Sequence, residues 1–338
     1  MPLRMSPAPP HSGCALRRAL VAAVAACLAT AAQPARGAGG ALFVASDGAS
    51  LELSAALFDP LSNSTAPATT FPAFSCMMHP EGATLLADGD TVALSVRDLG
   101  LTRASLLLVS PRARPMTAKA VPTQAWCFLA WQTDASSVRC LADDAPTPKT
   151  DRTQLWRFDL GTGRGTLEKS LLFGFAPSEA FAFDNVSSSA TGVYYNLSAG
   201  GLQQVLFTVD ASTGETLHAA PVPAGTTFLQ LKAAGDGRLL SLVSDAGGTF
   251  LCAVDRATAA ATPLPKSADL SKFGTFYSAA ALAPGVLYVM AAAPSPAADL
   301  RGPPTSTPYL VALDSATGEM LDAVEFESIS PLLRWVDS

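Results

Sequence analysis

The chain has 338 residues, 49% of them hydrophobic and 15% charged. Such apolar content excludes a disordered chain, and the length is enough for one large all-β domain. A net charge of −6 without a lysine or arginine cluster excludes attraction to phosphate backbones, so no nucleic-acid partner is expected.

The first element is a targeting signal. Residues 1–40 hold no acidic residue, and Arg17 and Arg18 precede an apolar run over 19–32. Small residues come next, at Ala29-Thr30-Ala31 or Ala35-Arg36-Gly37. This pattern predicts a secretory signal peptide over 1–38. The apolar run is shorter than the roughly 20 residues a bilayer span requires. Removing the segment leaves 18 basic residues against 28 acidic ones. The rest of the chain, 39–338, is expected to be secreted or lumenal and monomeric, with no transmembrane span. Val24-Ala25-Ala26-Cys27 offers an alternative, a bacterial lipid anchor at Cys27.

A repeat organises the chain beyond the leader. Apolar strands end in Asp at a turn in Leu57-Phe58-Asp59, Leu155-Trp156-Arg157-Phe158-Asp159, Leu206-Phe207-Thr208-Val209-Asp210, Leu251-Cys252-Ala253-Val254-Asp255 and Leu310-Val311-Ala312-Leu313-Asp314. A sixth copy, over 106–109, ends in Ser110. The intervals run from 45 to 59 residues, the size of one propeller blade. Three copies continue as Asp-x-x-Thr-Gly, closing on Gly163, Gly214 and Gly318. The Asp carboxylate nucleates the turn by accepting backbone N–H bonds, and the Gly takes positive φ.

Between these marks, in chain order, lie the candidate functional residues. Asn63 opens the sequon Asn63-Ser64-Thr65. His79, in Cys76-Met77-Met78-His79-Pro80, falls at the end of an innermost strand and is a candidate for the mouth of a central channel. Cys127 and Cys140 flank a turn around 133–137, so a hairpin there permits a disulfide between them. Asp184 is a second channel-mouth candidate. Asn185-Val186-Ser187 and Asn196-Leu197-Ser198 are sequons, so all three asparagines of the chain are N-glycosylation candidates. In a Ser/Thr-rich chain that coincidence has odds of about one in 200. His218 reads as an outer-strand residue. One blade shows its four strands plainly, at 227–232, 238–243, 249–255 and 259–264. The apolar stretch 276–293 is split by the turn Pro284-Gly285, and 291–308, rich in Pro, Ser and Ala, reads as a surface loop. The closing segment 332–337 fits a lone innermost strand ending at Asp337, a third channel-mouth candidate. Ala41 to Ala45 fits the second strand of a blade, so pairing the two ends would seal a sixth blade.

Tyr309-Leu310-Val311-Ala312-Leu313-Asp314-Ser315-Ala316-Thr317-Gly318-Glu319 resembles the repeat of the quinoprotein-like (PQQ-type and YVTN-type) β-propellers. The resemblance covers a short stretch of three or four blades and implies the fold alone. Quinoprotein dehydrogenases carry adjacent cysteines and docking tryptophans after the Gly; this chain has neither, so no cofactor is expected. The cysteines lack zinc spacing, so no metal site is expected. The reading is a binding scaffold for a protein or a small molecule. The alternative is a divalent-cation-dependent hydrolase similar to six-bladed lactonases, which would gather acids such as Glu81, Asp134, Glu179, Asp184 and Asp337 around a calcium ion.

Overall fold

A computed structural model of the chain describes residues 40–47, 52–60, 64–75, 83–98, 103–143, 152–174, 177–198, 201–294, 306–325 and 332–337. They form six antiparallel blades of a β-propeller, with one 3-10 turn, Ser271–Phe273, as the helical element among the described residues.

From the axis outward, the third blade is β10 (Trp126–Asp134), β11 (Ser137–Asp143), β12 (Arg152–Asp159) and β13 (Gly165–Gly174). The fourth is β14 (Pro177–Asp184), β15 (Ser189–Ser198), β16 (Gly201–Asp210) and β17 (Thr216–Pro221). The fifth is β18 (Thr227–Ala233), β19 (Leu239–Asp245), β20 (Gly248–Val254) and β21 (Ala261–Pro263). The sixth is β22 (Thr275–Ala283), β23 (Val286–Pro294), β24 (Ser306–Asp314) and β25 (Met320–Glu325). In the second blade the innermost strand is divided into β5 (Phe74–Ser75) and β6 (Ala83–Leu85), both paired with β7 (Val92–Asp98), with β8 (Ala104–Ser110) and β9 (Thr117–Thr123) outside them. The expected loop over 291–308 is shorter than its composition suggests. β23 and β24 extend into it from both sides, and 295–305 lies outside the described residues.

The first blade is built from both ends of the chain. β26 (Leu332–Asp337) is innermost and pairs with β1 (Gly40–Asp47), which pairs with β2 (Leu53–Asp59). Two short pieces, β3 (Ser64–Thr65) and β4 (Thr69–Phe71), share the outer edge. Leu42 lies opposite Trp335 and Phe43 opposite Arg334. The sheet thus has no free edge where the ring begins and ends.

Each blade is apolar on both faces because it packs between two others. Phe43 and Leu57 of the first blade meet Leu94 and Leu107 of the second. Phe128 lies 4.8 Å from Phe181, ring to ring, across the third and fourth blades, and Leu42 and Phe58 meet Tyr288 and Met290 where the sixth blade meets the first. Cys127 and Cys140 are joined in a disulfide. They are diagonal rather than directly opposite: Cys127 pairs with Ala142 and Cys140 with Ala130, and a bulge before Leu129 brings the two sulfurs together.

The third strands end at residues 59, 110, 159, 210, 254 and 314. Four of the turns after them share one hydrogen-bond pattern. Asp210 Oδ1 accepts from the backbone N–H of Ser212 (2.8 Å) and Thr213 (2.7 Å), and Gly214 N–H returns to the Asp210 carbonyl at 2.8 Å. Asp159, Asp255 and Asp314 do the same. Gly163 has φ +72°, and a Cβ there would collide with the Pro122 carbonyl oxygen of the second blade. In the fifth blade Ala259 takes the place of the Gly at φ +56°. The residue after Asp then donates to the first hairpin turn of its own blade: Leu160 to Ser136, Ala211 to Ser188 and Ser315 to Gly285. Both sets of turns therefore lie on one face of the ring.

Candidate functional site

On that face the ends of the innermost strands enclose a central cavity of about 740 Å³. Its wall comes from consecutive blades: Thr84 and Leu85 on β6, Leu129 and Ala130 on β10, Ala182 and Phe183 on β14, Lys232 and Ala233 on β18, Leu282 and Ala283 on β22. Alanine recurs where the strands crowd around the axis. The rim is made of turns, with Asn185, the segment Ala234 to Asp236 with Arg238, Pro284, Gly285 and Ser315. The lining mixes aliphatic side chains with polar groups, among them Thr84 and Lys232 on the wall and Asn185, Asp236, Arg238 and Ser315 on the rim. Lys232 is its one wall cation among the described residues and is 6% exposed. On the rim, Arg238 Nε donates to Asp236 Oδ2 at 2.7 Å.

The acids of this face are occupied by the turns that carry them. Asp134 accepts from the hydroxyls of Ser137 (2.6 Å) and Ser136 (2.9 Å) and the Ser136 N–H, and pairs with Arg157 Nη2 at 2.9 Å. The Ser137 hydroxyl first, then the Ser136 bonds and the guanidinium, hold its carboxyl far below the usual range. The Ser212 hydroxyl and the Thr213 and Ser212 N–H groups bring Asp210 down to about 2. For Asp314 burial pushes upward, and the bonds from Thr317 and Ala316 outweigh it. Asp159 and Asp255 are lowered by bonds from Thr162 and Thr258 respectively. Among the described residues no three His, Cys, Asp or Glu side chains gather as a metal-binding group.

Asp184, named from the sequence, is 2% exposed. Its Oδ1 accepts the Val186 N–H at 2.8 Å, and its Oδ2 accepts Ser187 Oγ at 2.7 Å and Arg256 Nη2 at 2.8 Å. Arg256 also donates to the Gly237 carbonyl at 2.9 Å. The arrangement clamps the first turn of the fourth blade to two turns of the fifth. Asp337 lies on β26, paired with Gly40. His79, Asn63 and Cys76 lie outside the described residues. Asn185 is exposed, and Asn196 sits on β15 opposite Gln203. His218 is exposed on the outer strand β17, opposite Thr208, beside a groove of about 480 Å³ between the fourth and fifth blades. Cys252 is a buried free thiol, pushed up to about 11 by burial and by the Asp245 charge.

Sequence patterns alone did not point to Lys232, Arg238 or Arg256. β18 was readable as a strand, but a register shift between Phe228 and Gln230 changes its alternation, so Lys232 falls at a buried position. The Asp184–Arg256 pair joins residues 72 apart in different blades, which no local pattern announces.

Fold and cavity together define the class: a six-bladed β-propeller with a central cavity open on the face of its tight turns. No family model matches the chain, and no curated protein matches it. Solved structures are similar in fold. One is a chain of a nidogen/laminin complex, with 11% identity and TM-score 0.55, covering 88% of this chain and 98% of that one. Another is a protein of unknown function from Bacteroides caccae, with 11% identity and TM-score 0.53, covering 89% and 100%. A puromycin hydrolase is similar over 88% of this chain and 55% of its own length, with 14% identity and TM-score 0.50. Identities this low carry the propeller fold and nothing finer. No helix among the described residues is long and apolar enough to cross a membrane.

Proposed function

We propose that the chain is a secreted or lumenal glycoprotein whose propeller is a binding scaffold, with a small ligand seated in the central cavity. The observation that carries this reading is the cavity wall. It combines alanines, leucines and a phenylalanine with the polar groups of Thr84, Lys232, Asn185 and Arg238, while Asp134 and Asp184 are engaged by their own turns and by arginines. A wall of that kind holds a ligand by shape and burial. The leader pattern, the Cys127–Cys140 disulfide and the sequons support the secretory setting.

The test uses the purified chain in a thermal-shift screen of small organic fragments. Stabilising fragments are expected, because a ligand that binds only the folded state raises the melting temperature by mass action. Ala233→Phe, which places a ring within the cavity, is expected to diminish the shift. Hits unaffected by Ala233→Phe would place binding elsewhere. Millimolar calcium is expected to leave the melting temperature unchanged, and γ-butyrolactone is expected to remain intact. A calcium-dependent rise together with lactone hydrolysis would overturn the scaffold in favour of the cation-dependent hydrolase.

A further inference from the structure

The turn joining β14 to β15 brings together three features. It carries a sequon, Asn185-Val186-Ser187. Its Asn185 is exposed and forms part of the rim of the central cavity. Its Val186 is 65% exposed, the most exposed of the large apolar residues described. We propose that Asn185 carries an N-linked glycan that stands over the cavity mouth and restricts entry to small solutes. This rests on the secretory setting proposed above.

The turn is suited to holding such a group in place. Asp184 ties it down through the Val186 N–H and the Ser187 hydroxyl, and Arg256 anchors that carboxylate to the fifth blade. Ser187 Oγ also shares a hydrogen bond with Ser189 Oγ at 2.7 Å. A glycan rooted on this turn therefore starts from a backbone that is tied in place. Val186 leans toward Gly237, whose turn borders the same cavity. The apolar face of the first N-acetylglucosamine would lie beside the exposed Val186.

The chemistry is a transfer from a lipid-pyrophosphate-linked oligosaccharide onto the extended chain, before Ser187 becomes engaged in the folded turn. A bond forms between Asn185 Nδ2 and C1 of the first sugar, the lipid pyrophosphate leaves with the C1–O electron pair, and the displaced amide proton passes to base. The folded chain provides its own control. Asn196 lies seven residues beyond Ser189 along β15, about 23 Å from that turn at the rise of a strand, at the other end of β15.

The test expresses the full chain in a eukaryotic secretory host and maps sequon occupancy by glycopeptide mass spectrometry. Thr84→Cys, on the cavity wall, is then labelled with N-ethylmaleimide and with a poly(ethylene glycol) maleimide, before and after endoglycosidase trimming to the first sugar. Ala233→Cys is the second wall variant should Thr84→Cys not fold, and rates are taken over the wild-type background. Occupied Asn185 is expected, with the bulky reagent reacting severalfold faster after trimming and the small reagent reacting at one rate throughout. Asn196 occupied and Asn185 bare would overturn this inference and leave the secretory setting standing. No sequon occupied would overturn both. Occupied Asn185 with equal rates for the bulky reagent before and after trimming would overturn the gating.

Discussion

The turns after the third strands and the tips of the innermost strands share one face of the ring, yet they are built on opposite principles. The turns repeat. Asp159, Asp210, Asp255 and Asp314 accept equivalent pairs of backbone N–H groups, and three of the four turns close on a glycine at positive φ. The strand tips do not repeat. Leu129 and Ala130, Ala182 and Phe183, Lys232 and Ala233, and Leu282 and Ala283 each supply an alanine near the axis, but the residue beside it changes from leucine to phenylalanine to lysine. Repetition marks a device that four of the blades share for closing their outer hairpin. Variation marks the surface on which one propeller differs from another.

Substitutions separate the two regions by size of effect. The largest is expected at Gly163, where alanine meets both a left-handed backbone and the Pro122 carbonyl. Gly163→Ala should lower unfolding stability by about 3 kcal/mol in chemical denaturation. Gly214→Ala faces the same φ penalty, but its new Cβ approaches the movable side chains of Lys169 and Leu155 at 3.0 and 3.1 Å. A loss of about 1 kcal/mol is expected there. Equal losses at the two glycines would show that φ alone, and not inter-blade contact, governs these turns.

A turn carboxylate comes next. Asp210→Asn should cost about 1 kcal/mol near neutral pH, because it removes the charge from four hydrogen bonds in a partly solvated turn. The folded Asp210 titrates at about 2, below its ordinary 3.8. Its contribution is therefore complete above the ordinary value and is lost as pH falls through about 2. The difference in denaturation midpoint between wild type and Asp210→Asn should shrink over that interval. A difference that persists at pH 2 would mean that the carboxylate's charge does not matter to the turn.

The smallest effect is expected at the cavity. Thr84→Val keeps the shape of the side chain on the wall and should leave stability within about 0.5 kcal/mol. A larger loss would mean that the wall is structural and not spare surface.

This contrast also explains what could be read from the residues alone. Six blades were legible because the Asp-terminated strands recur at blade-sized intervals, and the ends of the chain were legible because each fits one strand position of a shared blade. The disulfide was legible in two cysteines flanking one hairpin turn, although its diagonal geometry depends on a bulge. The lining of the cavity was not legible. Which residues of β18 turn inward depends on a register shift near Leu229, and the partner of Asp184 lies in the next blade. Alternation along a strand predicts faces, but a bulge resets it without leaving a mark in composition.

The pairing of β1 with β26 has a consequence for how the chain is made. Residues near 40 must wait for residues near 337 before the first blade can gain its innermost strand. During synthesis the early strands emerge without their neighbour on the axis side, and contacts of such long sequence separation are the slowest to form. A circular permutant that joins β26 to β1 through a short linker, with new termini in a hairpin of another blade, would turn that late event into a local one. Its refolding rate would then report how much of the folding barrier belongs to ring closure.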